Sequence, residues 1–177
     1  MAAALRRLED AWQRSGAPVR AHLRPGLSDG DIDRLTLASV GSVLPADDRA
    51  WWGWHDGAAS GTGADPRDRE IAPGWSYLGL QEAIELYRGR CAEAYAASVG
   101  SREVPGMDDP RFWWRPTWFP ITQDDRRVVL ACDCAVPAGS ASPIVRIDWE
   151  EAAEPGWDAP RLRSFAELIE LWARSLD

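Results

Sequence analysis

Residues 51–57 read Trp-Trp-Gly-Trp-His-Asp-Gly and set a histidine beside an aspartate among three tryptophans. Histidine and aspartate can work as a base and its orienter, but only when their side chains face each other. Neighbours on a helix point about 100° apart, so His55 and Asp56 are not a relay by spacing. The second histidine, His22, stands in a different segment, and no serine sits in a nucleophile-elbow motif. The expected role of His55 is a helix-end side chain that packs and hydrogen-bonds locally.

Cys132 and Cys134 form a C-x-C pair. A zinc centre needs about four ligands with a second pair at matching spacing, and none is present. Strand alternation puts both thiols on one apolar face with Val128 and Leu130, as small buried hydrophobes. The acidic pairs Asp47-Asp48, Asp108-Asp109, Asp124-Asp125 and Glu150-Glu151 lack the alternating oxygen ligands of a calcium loop and read as solvated faces. The glycines of residues 59–65 are followed by no Gly-Lys-Ser/Thr, so they do not cradle a phosphate. No catalytic residue, metal or cofactor is expected.

Tryptophan, with 11 copies, is the compositional outlier. Trp51 and Trp54, three apart, share an inner helix face, whereas Trp52 is turned away and is expected at the surface. A second cluster, Trp113, Trp114 and Trp118, lies in the proline-containing run 111–123. Such rings suit a binding platform and the cover of a small sheet equally well.

The chain of 177 residues suits one domain with its own core. With 45% hydrophobic and 27% charged residues it is a folded rather than a disordered composition. The formal net charge of -8 repels phosphate backbones, which excludes direct nucleic-acid binding, and steers basic proteins toward the surface. No apolar run approaches the roughly 20 residues of a membrane span. The early charges of residues 1–14 do not fit a signal peptide, and three cysteines fit a reducing compartment. A cytoplasmic location is expected.

The elements that would position these residues follow from periodicity. Leu5, Leu8 and Trp12 mark a first amphipathic helix. Ser28 caps a second, with Asp31 completing a capping box; Ile32, Leu35 and Ser39 face inward, flanked by Leu37 and Val40. Pro45 opens a third helix with Asp47 and Asp48 in its first turn, running to about His55, where Asp56-Gly57 stops it. Residues 57–73 read as a surface loop and Trp75 begins a short strand. Residues 81–98 are the clearest helix, with Leu80, Ile84, Tyr87, Cys91 and Tyr95 on one stripe. Pro116 and Pro120 predict an irregular stretch that ends in a short strand. Two alternating strands follow, the second with Val145, Ile147 and Trp149 on one face, and a last helix capped by Ser164 carries Phe165, Leu168, Ile169, Trp172 and Leu176 inward. This order predicts an α+β fold in a single domain over residues 1–177, rather than alternating α/β.

The landmarks also resemble a family in their order. Residues 40–57, with a small residue, Leu44-Pro45, an acidic helix start, Trp51, Trp54 and Asp56-Gly57, are similar to the diagnostic stretch of the SUKH superfamily, the group of the yeast cell-wall assembly regulators. Residues 74–88 resemble that family's tryptophan strand and Leu-x-Glu-Ala helix, beginning with Trp75. Pro116, Trp118 and Pro120 resemble its Trp-x-Pro-x-Trp-x-Pro segment, and residues 128–133 its strand ending in aspartate, here Asp133. The resemblance spans about residues 24–176, with residues 1–23 as an N-terminal helix and connection. It implies a mixed, largely antiparallel sheet with helices packed around it, no enzymatic activity, and in bacteria an immunity protein that binds and neutralises a polymorphic toxin. Asp48 departs from the apolar helix residue usual there, which is expected to loosen the third helix, and residues 121–130 lack the family's glycine-rich hairpin. On this reading Trp52, His55, Asp56, Trp113, Trp114, Arg115 and Asp133 meet a protein partner, a basic toxin domain. A carbohydrate module with exposed tryptophans is the alternative, and a carboxylate hydrolase the third.

Overall fold

Trp51 stands where every layer of the fold meets: its ring lies 4.8 Å from that of Tyr77, 5.0 Å from Phe165 and 6.0 Å from Trp172. The computed structural model describes residues 1–41, 43–59, 65–100, 114–137, 140–148 and 161–176, with the backbone alone at 97–100 and 161. Among these, five α-helices and two antiparallel sheets build one α+β domain around a continuous apolar core.

Helix α1, Ala2–Ser15, buries Ala4, Leu5, Leu8, Ala11 and Trp12 on one stripe and ends at Gly16 in the left-handed conformation. Strand β1, Leu23–Pro25, leads to α2, Asp29–Val40. Ser28 caps α2 as its sequence predicts: its hydroxyl accepts the Asp31 N–H at 3.1 Å and donates to the Asp31 carboxylate at 2.7 Å. The inner face differs from expectation. Thr36 is buried with Ile32, and Leu35 and Ser39 are only half-buried. Thr36 can occupy the interior because its hydroxyl donates back to the Ile32 carbonyl at 2.9 Å.

Helix α3, Ala46–Trp54, starts after Pro45, which is its cap rather than part of its first turn. It stops one residue before His55. His55–Ala58 is an extended strand, β2, paired antiparallel with β1, so Asp56-Gly57 is not a helix stop. The region expected as a loop also contains a short 3₁₀ turn, Pro66–Arg69, and strand β3, Glu70–Ala72.

Strand β4, Trp75–Tyr77, precedes the long helix α4, Leu80–Gly100. Leu80, Ala83, Ile84, Tyr87 and Ala94 are buried, but Tyr95 is exposed, because the core thins toward the end of so long a helix. Strands β5, Trp118–Asp124, β6, Val129–Asp133, β7, Ile144–Ile147, and β8, Arg161–Leu162, complete a six-stranded sheet in the order β3-β4-β5-β6-β7-β8. Every described pairing is antiparallel, with no parallel pair of the kind a mixed sheet would hold. Helix α5, Phe165–Ser175, is capped by Ser164 and buries Phe165, Leu168, Ile169, Trp172 and Ala173 against α1 and the sheet.

Two strand expectations are corrected. Residues 114–117 are irregular as expected, but the strand that follows, 118–124, runs through Pro120 as a central strand. Pairing with β4 begins only at Thr122, and a bulge falls between Pro120 and Thr122, so the proline sits past the end of its neighbour's ladder. In β6 all five residues are buried instead of alternating, because both faces of this central strand are covered. Val145 and Ile147 are buried as expected, and Trp149 lies outside the described residues. No helix among the described residues is long and apolar enough to cross a membrane.

Candidate functional site

His55 and Asp56 are held by backbone geometry rather than by each other. The Asp56 carboxylate accepts the N–H of Leu80 at 2.7 Å and thereby caps α4 from outside the helix. Glu82 accepts the N–H of Gly79 at 2.7 Å, a capping-box contact three residues along. Arg24 binds both: its Nε donates to the Asp56 carbonyl at 2.5 Å and its Nη2 to Glu82 at 3.1 Å. Arg69 donates to Glu82 at 2.6 Å and to the Ala58 carbonyl at 3.1 Å. Two carboxylates thus converge on α4, each engaged with a backbone N–H and with arginine.

His55 joins the same frame. Its Nδ1 lies 3.2 Å from the Arg24 carbonyl, its own carbonyl accepts the Tyr77 hydroxyl at 3.0 Å, and its ring lies 4.6 Å from Trp54. Gly57 has φ 71, and a Cβ there would drive into the backbone of Leu78 and Gly79. Gly26 is equally confined, because a Cβ would meet the Gly53 carbonyl where the chain crosses α3. The segment 51–57 is therefore a junction of α3, β2 and α4.

The expected outward face of Trp52 is corrected. Its side chain is completely buried, with its ring edge-on to Phe119 at 5.4 Å. Both sides of α3 are covered, one by Tyr77 and α5 and the other by β5, so a 100° turn from Trp51 does not reach solvent. Trp54, expected inside, is the half-buried one and stacks on Trp12 at 5.3 Å. Trp114 is buried and T-shaped to Trp118 at 6.3 Å, so it is no surface anchor. Asp133 is buried too, at the register position opposite Trp118, where its carboxylate accepts the Ala135 N–H at 3.2 Å. Arg115 is half-buried, with its guanidinium 5.4 Å from the Trp118 ring. Trp113 lies outside the described residues.

The structure thus assembles the predicted residues into two groups. His55 and Asp56 sit at the α4 junction, and Trp114, Arg115 and Asp133 gather at the Trp118 end of β5 and β6. Leu44, Pro45, Trp51 and Trp118 are buried, and Trp75 is half-buried on β4. Pro116 is exposed, with its carbonyl accepting the Tyr87 hydroxyl at 2.9 Å.

Asp48 forms a separate buried cluster. Far from loosening α3, its carboxyl fastens α3 to the sheet: Ser142 donates to it at 2.8 Å and the Cys132 thiol lies against its other oxygen. Burial pushes its pKa up to about 7, opposed by the hydrogen bonds from Cys132 and Ser142 and assisted by Asp47. Burial also raises the Cys132 thiol, with Asp48 adding to the shift, so the thiol is protonated and unreactive. Cys134 shifts the same way for the same first reason. Among the described residues no three His, Cys, Asp or Glu side chains are grouped to hold a metal ion.

Sequence reasoning did not find Arg24, Arg69 or Ser142, whose partners stand on other elements, beyond the reach of local spacing. The spacing Gly79 to Glu82 was the local signal available for the cap. No protein-family model matches the chain, and no curated protein is significantly similar to it.

Proposed function

We propose that this chain is a non-catalytic protein-binding domain of the toxin-immunity type, which masks a basic toxin domain in the cytoplasm. The observation that carries the reading is charge: 28 acidic residues against 20 basic ones. Asp29, Asp31 and Glu93 reach the solvent with 79%, 49% and 54% of their side-chain surface exposed, each paired with an arginine, Arg49, Arg34 and Arg90. Such a surface accelerates encounter with a basic partner and disfavours anionic ones. The engagement of His55, Asp56 and Glu82 with backbone groups supports a binding rather than a hydrolytic role. With Trp52, Trp114 and Asp133 buried, the contact set among the described residues contracts to Arg115 and the half-buried His55 and Asp56. The carbohydrate alternative needs open rings, and among the described tryptophans Trp54 and Trp75 alone are more than marginally accessible.

The test is recovery of the protein partner by pull-down from the native host, followed by co-expression of the two. The expected result is a stoichiometric complex, protection of the host, and an association rate that falls steeply with salt. Absence of both complex and protection would overturn the proposal.

A further inference from the structure

Helix α5 does not lie flush on the sheet. Leu168, Leu171, Trp172 and Ser175, a single stripe at helical spacing, form one wall of a cleft of about 420 Å³. The opposite wall comes from Trp75 on β4, Leu130 on β6, Ile144 and Arg146 on β7, and Leu162 on β8. Leu130 pairs with Arg146 and Ile144 with Leu162 in register, so these four side chains share the sheet face turned toward α5. The volume falls in the range of small-molecule sites, and the lining is nearly all apolar. Leu171 stays 41% exposed at the rim, so apolar surface is left open to solvent.

Among the described lining residues one cation, Arg146, breaks this apolar surface. The guanidinium of Arg146 is partly accessible and holds Asp148 at 2.9 Å. A planar fork of N–H donors beside a greasy cleft matches an acid with a hydrocarbon body. We propose that the cleft binds a small amphiphilic carboxylate, with its apolar body between Trp75, Leu171 and Trp172 and its carboxylate on Arg146. The bound carboxylate displaces Asp148 from that guanidinium, so Asp148 is a built-in competitor.

The test uses the full chain, with decanoate, decanol and decyltrimethylammonium as probes in isothermal titration calorimetry. Decanoate is expected to bind with one-to-one stoichiometry, about tenfold more tightly than decanol, and the cation most weakly. Arg146→Gln should erase the preference for decanoate while decanol binding persists. Asp148→Asn should tighten decanoate several-fold. Leu171→Glu, at an exposed position, should abolish both without lowering the melting temperature. Equal affinity for decanoate and decanol, unsaturable or multiple-site uptake, or binding that survives Leu171→Glu would overturn the proposal. So would a dimer in light scattering that Leu171→Glu dissolves, because the occupant would then be a second copy of the chain.

Discussion

The carboxylate of Asp56 reaches across 24 residues of sequence to accept the Leu80 backbone N–H at 2.7 Å. An aspartate that sits beside a histidine is thus a cap for a helix it does not belong to. Asp56→Ala removes the acceptor and leaves a free N–H at the start of α4. We expect a loss of about 1–2 kcal/mol in urea denaturation, with Asp56→Asn recovering part of it. A loss under about 0.3 kcal/mol would show that the cap does not hold α4.

Asp48 makes stability depend on pH in an unusual direction. Its folded pKa of about 7 lies above the ordinary 3.8, so the folded state holds the proton more tightly than the unfolded chain. Its contribution is greatest below pH 4 and is lost as pH rises toward 7. Asp48→Asn should flatten that slope, and above pH 7 it should relieve a penalty on the order of 4 kcal/mol at most. Paired melts of both proteins from pH 4 to 8 measure it; parallel curves would contradict it.

Trp52→Ala separates a core role from a contact role. A ring with no exposed surface, packed on Phe119, should take about 3–5 kcal/mol of stability with it. A surface anchor would instead weaken partner binding and leave the denaturation midpoint in place. Measuring both on the same protein decides the matter.

Gly57→Ala tests the crossing of β2 over the start of α4. The left-handed backbone and the Leu78–Gly79 wall act together on any Cβ. A loss of about 2–4 kcal/mol is expected from equilibrium unfolding, whereas Gly41→Ala, with open space around it, should lose only the backbone strain of about 1 kcal/mol.

What could be read in advance was whatever depends on neighbours in the chain. Ser28 and Ser164 cap their helices as expected, and the stripes of α1 and α5 are the buried ones, because capping and amphipathicity operate within a few residues. The α+β class followed from the order of those elements. The misread positions depend on what covers them from afar. Trp52 looked outward because periodicity does not say that β5 lies across α3. Pro120 looked strand-breaking because the length of β4 was unknown. Asp48 looked like a defect because its partners, Cys132 and Ser142, are more than 80 residues away. Asp133 was placed outside for the same reason, since a central strand with two covered faces shows no alternation.

Trp51 touches Tyr77 in the middle of the chain and Phe165 and Trp172 near its end. α1 likewise packs on α5, and Arg7 pairs with Glu170. During synthesis the ring of Trp51 therefore emerges from the ribosome long before its last partners exist. The nascent chain carries an unfinished aromatic cluster until α5 clears the exit tunnel, and the core of this domain closes only once that helix has been made.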